Sequence, residues 1–236
     1  MAQSSKQIEE DLLKSFKKID YYSKKNDDEK IQIANDEFEK NLKDYTEKYP
    51  STISYSFDAL KKQHLDISNS TDGSFRIYSW DTWTGGTMHA FENIMQYKSA
   101  GKVTSIIDRP KKEGDYIHNY NKIYTFINKG KTYYLTVYLD VASTKDVSNG
   151  IHIFTIENGK IADAGLIKTR SGVHSDLHYD YDFGSVVDID FDKRPQPRFE
   201  EQTNTIYLPL VDGNRQMTRK FILYKFTGQY FERVKN

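Results

Sequence analysis

TYYLTVYLDVASTKDVSNGIHIFTIENGKIADAGLI, residues 132–167, decides the fold class. Its first eight residues alternate, with Tyr133, Leu135, Val137 and Leu139 on one side and Thr132, Tyr134, Thr136 and Tyr138 on the other. Alternation of period two places successive side chains on opposite faces of a strand. Both faces are apolar or aromatic here, so this strand belongs in the middle of a sheet. A polar loop follows, then a second strand (GIHIFTI, 150–156), a turn at Gly159 and a third strand.

The same order recurs on either side. SFRIYSWDTWTGGTMHAFENIMQYKSAGKVTSII (74–107) and TIYLPLVDGNRQMTRKFILYKFTGQYFERV (205–234) each run strand, polar loop, strand, glycine turn, strand. The turn glycines are Gly101, Gly159 and Gly228, followed by Lys102, Lys160 and Gln229. One further strand and turn precedes each piece: LDISNSTDG (65–73), KIYTFINKGK (122–131) and PRFEEQTN (197–204). The unit is a four-stranded antiparallel meander, used three times over about 65–107, 122–168 and 197–234. Its turn glycines lie 58 and 69 residues apart, against roughly 40–45 for a propeller blade. Long insertions at 108–121 and 168–195 account for the excess. Closed propellers use about four to eight blades. The expectation is therefore a mainly β chain with an open, partial β-propeller-like arrangement, and a β-sandwich of the same hairpins is the alternative.

Ahead of the strands the period changes. Ile31, Ala34, Phe38, Leu42, Tyr45 and Tyr49 form one helical stripe, and Ile8, Leu12, Phe16 and Ile19 form another. KKNDDEK (24–30) breaks the two, with Asp27 or Asp28 as N-cap, and Pro50 ends the second helix. The expected organisation is an N-terminal helical hairpin over 1–50 packed on a β domain over 51–236. The hairpin must bury its apolar side against the following sheet, covering an exposed edge.

DGSFRIYSWDTWTGGTMH, KGKTYYL, IFTIENGKI and the ending YKFTGQYFERV resemble uncharacterised exported bacterial proteins with propeller-like β repeats. The resemblance covers about residues 70–234 and rests on turn-and-strand signatures. It implies a secreted or periplasmic setting and carries over no catalytic residue. The opening MAQSSKQIEED reads accordingly as a start residue joined to a mature exported chain, with Gln3 near its first residue.

Lys plus Arg total 34 and Asp plus Glu total 34, so the net charge is zero. That balance argues against nucleic acid or anionic lipid as a general partner. Lys111-Lys112 and the group Lys14, Lys17, Lys18 are the basic clusters, the latter a solvated helix face. The 18 tyrosines suit half-buried sheet surfaces. With no cysteine, disulfides, thiolate metal sites and a cysteine nucleophile are excluded. No run reaches the roughly 18 apolar residues of a membrane span.

Three stretches carry candidate chemistry. RIYSWDTWTGGTMHAF (76–91) holds both tryptophans, and Trp80, Asp81, Trp83 and His89 are the candidate ligand-binding residues. Trp80 reads as the interior end of a strand, while Trp83 in the loop could stack on a sugar or anchor a protein. The Gly-Gly pair would supply the positive φ of the reversal. GVHSDLHYDYDF (172–183) places His174, Asp176, His178, Asp180 and Asp182 on one face of a strand. That ladder is either a weak catalytic or cation site or the solvated face of an edge strand backed by Leu177, Tyr179, Tyr181 and Phe183. VDIDFD (187–192) mimics the start of a calcium loop, but Lys193 and Phe199 occupy the places of its Gly and Glu. It reads instead as a strand, with Asp180, Asp182, Asp188 and Asp190 as weak metal candidates for calcium or zinc and no cofactor expected. No nucleophile elbow or phosphate loop is present.

The functional expectation is an exported, non-enzymatic binding protein whose inter-unit loops hold a protein or a glycan. A hydrolase, metal-assisted or not, that uses the His174–Asp182 ladder is one alternative. An inhibitor or immunity-type protein acting through one flat interface is another.

Overall fold

The computed structural model describes residues 3–112, 115–190 and 193–234. The chain divides into two compact units, Met1–Asn121 and Lys122–Asn236.

The first unit opens with α1 (Ser5–Ser23) and α2 (Asp28–Lys48). Ser4 caps α1 by accepting a hydrogen bond from the Gln7 amide, and Asp27 caps α2 by accepting one from the Lys30 amide. α2 ends before Pro50, which holds Tyr49 extended and starts a short 3₁₀ turn to Ser54. The first predicted stripe is buried, and of the second Ile31, Ala34, Phe38 and Leu42 are buried while Tyr45 and Tyr49 are partly so: Ile8, Leu12, Phe16 and Ile19 pack with Ala34, Phe38 and Leu42. The one-turn α3 (Asp58–Lys61) adds Leu60 to the same core.

Four strands follow: β1 (Asp66–Asn69), β2 (Phe75–Asp81), β3 (Phe91–Ser99) and β4 (Lys102–Ile107), an antiparallel meander in that order. Tyr78 and Trp80 of β2 and Ile94 of β3 enter the helical cluster. The hairpin thus lies on a face of the first sheet rather than along an edge, because the inner strands carry the apolar side chains that need cover.

The second unit contains two sheets. β5 (Asn119–Asn128, beginning just before the boundary), β6 (Lys131–Val141), β7 (Asp146–Glu157) and β8 (Lys160–Asp163) are neighbours in sequence order. β6 is central and buried on both faces over Tyr133–Tyr138, as its alternation requires. The other sheet contains β9 (Ile167–Thr169) and β10 (Gly172–His174). β11 (Asp176–Asp182) returns to the β7 edge. The final meander is β12 (Arg198–Glu200), β13 (Thr205–Val211), β14 (Met217–Phe226) and β15 (Phe231–Arg233), with β9 parallel to β15. Phe126, Leu135, Val137, Ile151 and Ile153 of one sheet share a core with Phe199, Ile206, Tyr224 and Phe231 of the other.

The chain is thus mainly β with an N-terminal helical part, and among the described residues none of the three sheets closes. The 168–195 insertion, expected to be extended over 172–183, supplies β10 and β11, and together with β9 these turn the meanders into a five- and a six-stranded sheet. Pairing of this kind covers backbone groups that outer strands would leave open. The expected strand at VDIDFD needs correction: its described residues, 187–190, form a turn and a bend after a 3₁₀ turn at Phe183–Ser185. Asp182 accepts the Gly184 amide at 2.8 Å, which bends the chain before the acid–apolar alternation begins. Ala100-Gly101 and Asn158-Gly159 have positive φ at both positions, the tight reversals that the repeat's glycines announced.

Candidate functional site

The loop between β2 and β3 holds the tryptophan that the core does not use. Its base is fixed at several points. The Thr82 amide and hydroxyl both donate to the Ala90 carbonyl, at 2.8 and 2.9 Å. Asn35, buried in the middle of α2, donates from Nδ2 to the Thr82 carbonyl at 2.9 Å and accepts from Trp80 Nε1 at 3.0 Å. Trp80 is 1 % exposed and meets the Phe38 ring edge-on at 5.1 Å, so it is architecture. Asn35 was not singled out in the sequence, although it sits four residues after Ile31 and three before Phe38 on the apolar face. A polar residue in such a place needs buried partners.

Above that base, Asp81 is bidentate: one oxygen accepts the Trp83 amide at 2.9 Å, the other is joined to His89 Nδ1. The His89 ring lies 6.0 Å from that of Trp83 and stacks at 6.2 Å on Phe91. Trp83 itself is 53 % exposed and takes a left-handed backbone, φ +58°. For a bulky side chain that conformation costs about 1–3 kcal/mol. Of the Gly-Gly pair only Gly86 has positive φ; at Gly85 a Cβ would lie 1.8 Å from the Met88 carbonyl oxygen. Trp83 therefore takes the strained position itself, and Gly85 is there for close approach. Asp81, Trp83 and His89 form one cluster, with Trp80 beneath it.

The ladder is divided. His174 lies on β10, and Asp176, His178, Asp180 and Asp182 lie on β11, an outer strand of a different sheet. Leu177 packs into the shared core of the second unit, and Tyr179 and Tyr181 into a satellite cluster with Val147 and Val186. Asp176 accepts hydrogen bonds from Tyr138 Oη at 2.7 Å and from His178 at Nδ1, 2.8 Å. Burial opposes the charge on Asp176, yet these two bonds hold its carboxyl below the usual range. The same bond raises the His178 imidazole above its ordinary value. This gives an oriented Asp–His pair on an open strand.

Asp190 is joined to Lys193 at 2.6 Å, Asp182 is spent on the Gly184 amide, and Asp180 and Asp188 are exposed. Asp192 lies outside the described residues. Among the described residues no three His, Asp or Glu side chains converge on a metal-sized space.

One titratable group escaped the sequence reading. Glu92, paired with Trp80 across β2 and β3, has a buried Oε2 without a hydrogen-bond partner. Burial pushes its carboxyl up to about 7, Glu39 and Asp36 of α2 add to the rise, and Arg109, bound to Glu39 at 2.7 Å, opposes it. A raised folded value means that the stabilisation is complete below the unfolded value of 4.5 and is lost as pH climbs through about 7. Glu92→Gln is expected to remove this loss, making the variant more stable at pH 8 by on the order of 2 kcal/mol. Urea unfolding at pH 5 and pH 8 checks it; an unchanged pH slope would remove Glu92 as the cause.

Comparisons of the chain with protein-family models, with curated proteins and with solved structures find no match. Among the described residues, no helix is long and apolar enough to cross a membrane.

Proposed function

We propose that the chain is an exported, non-enzymatic binding protein whose propeller-like repeat units present loops to a protein or glycan ligand, with the Trp83 loop as the principal contact. One observation carries this reading: a large aromatic side chain stands exposed on a strained backbone whose base is pinned by Asn35, Thr82 and Asp81. Strained positions cluster at functional sites, and whereas Phe57 takes a similar backbone to reach the core, Trp83 takes it with its side chain exposed. A rigid, exposed indole loses little entropy on binding, which is why tryptophan is enriched among residues that dominate interfaces.

The hydrolase alternative has the Asp176–His178 pair in its favour. Against it stand the separation of His174 into another sheet and the open outer strand that carries the rest. A general base needs a sheltered substrate position beside it.

The test is a binding screen of the labelled chain against immobilised glycans and exported proteins, repeated with Trp83→Ala. The expected result is a ligand whose affinity falls about thirtyfold, the effect of losing roughly 2 kcal/mol at a dominant residue. Ligands held equally well by both chains would overturn the assignment to this loop.

A further inference from the structure

A second surface is built from residues that the sequence scatters. Within the second unit, a groove of about 780 Å³ is lined by Lys122 and Tyr124 of β5, Val137 of β6, Ile189, segment 193–198, and Met217, Thr218, Arg219 and Phe221 of β14. Five of these side chains are cationic: Lys122, Lys193, Arg194, Arg198 and Arg219. No described acidic side chain lines the groove, in a chain whose net charge is zero. Lys193 is paired with Asp190 at the rim, whereas Lys122, Arg198 and Arg219 have no ion-pair partner among the described residues. Gathering like charges works against folding, so the cluster is an expense that a bound anion would repay.

Arg198 is held in place. Its guanidinium lies 4.1 Å from the centre of the Tyr207 ring and 4.4 Å from that of Phe221. These two rings, tilted 77° to each other, hold the guanidinium, and Arg198 remains exposed, which leaves it able to bind a carboxylate. Lys122 lies 4.7 Å over Tyr124 in the same manner. Both aromatic faces that a sugar would need are thus covered by the protein's own cations. Uncharged polar side chains are few in the lining, namely Tyr124, Gln196 and Thr218. Apolar surface is plentiful instead, from Val137, Ile189, Met217 and the prolines 195 and 197. β5 and β12 are each the last strand of their sheets, and an extended peptide laid along such strands finds backbone partners.

We infer that this groove binds an extended acidic peptide segment, whose carboxylates meet Lys122, Arg198 and Arg219 and whose apolar side chains fill the space between them. The site is separate from the Trp83 loop and does not depend on the reading given to that loop.

The probe is a fluorescein-labelled peptide, Asp-Val-Glu-Leu repeated twice, titrated with the full chain by anisotropy. A matched peptide with Ser for Val and Leu, a polyuronate, a heparin-like glycan and a single-stranded oligonucleotide complete the set. The expected result is binding of the first peptide, weakened at least about tenfold by Arg219→Glu and by Lys122→Glu. Both side chains are exposed, so neither change threatens the fold, and Lys40→Glu on α2 should leave binding unchanged. The Ser-substituted peptide should bind more weakly. Equal binding of the two peptides, tighter binding of a glycan or the oligonucleotide, binding insensitive to Arg219 and Lys122, or no binding would each overturn the inference.

Discussion

Arg76→Met is expected to lower the melting temperature by about 10 °C. Arg76 is 2 % exposed, and among the described residues it has no carboxylate partner. Its charge is met by dipoles instead. Nη1 donates to the carbonyls of Thr52 and Tyr55, both at 2.7 Å, and to Tyr78 Oη at 3.3 Å, while Nε donates to Asn69 Oδ1. The network continues from Tyr78 Oη to Gln96 Oε1 at 3.0 Å, and from Gln96 Nε2 to the Thr46 carbonyl at 2.7 Å. One guanidinium therefore ties the turn after α2 to the middle of β2. Methionine fills similar space but loses the charge-assisted hydrogen bonds to the Thr52 and Tyr55 carbonyls, about 1.5 kcal/mol each, and leaves the Tyr55 carbonyl without its donor while the Thr52 carbonyl keeps the Tyr55 amide. The total is about 3 kcal/mol, and a thermal melt followed by circular dichroism reads it. Arg76→Lys should recover little, since one ammonium cannot reach the acceptors on both sides. A melt for Arg76→Met within about 2 °C of the parent would show that the network is dispensable.

The second large effect is expected at Gly150. Within β7 this glycine faces the Tyr138 ring, and a Cβ there would lie 2.5 Å from Cζ and Oη. Tyr138 crosses over Gly150 to donate to Asp176 on β11. The ring is 2 % exposed and rigid, so it cannot yield by swinging its end. Gly150→Ala should expel it, break the bond to Asp176 and loosen β11, costing about 2–3 kcal/mol. The His178 imidazole should then titrate closer to its ordinary value, because the carboxylate that raises it is no longer held. Proton NMR of His178 in the two proteins separates this from a general loss of stability. An alanine variant with parental stability and an unchanged His178 titration would contradict the close packing.

These two residues mark the limit of what the sequence discloses. Helical stripes and the three meanders were legible because burial imposes a period, 3.6 or 2, on the side chains themselves. Trp80 and Trp83 separated because β2 runs through the one and ends at Asp81, before the other. Arg76 carries no such signal: its acceptors are backbone carbonyls 21 and 24 residues away, and carbonyls are the same in every residue. Gly150 looked like the start of a strand, and only the partner's ring explains why it lies inside one. At 187–190 alternation misled, since the Asp182 cap bends the chain regardless of the pattern beyond it. The basic groove was missed: KRPQPR (193–198) was not counted among the basic clusters, and the lysine and arginine that complete the groove come from positions 122 and 219.

The central claim is that Trp83 is kept for a contact outside the fold, and the stability of Trp83→Gly tests it most directly. Glycine adopts the +58° backbone without strain and removes the indole. If the side chain serves a ligand, the variant should melt at or a few degrees above the parent, because relief of about 1 kcal/mol of strain offsets the small exposed contact with His89. A fall of about 5 °C or more would mean that Trp83 supports the hairpin itself, and would contradict the account.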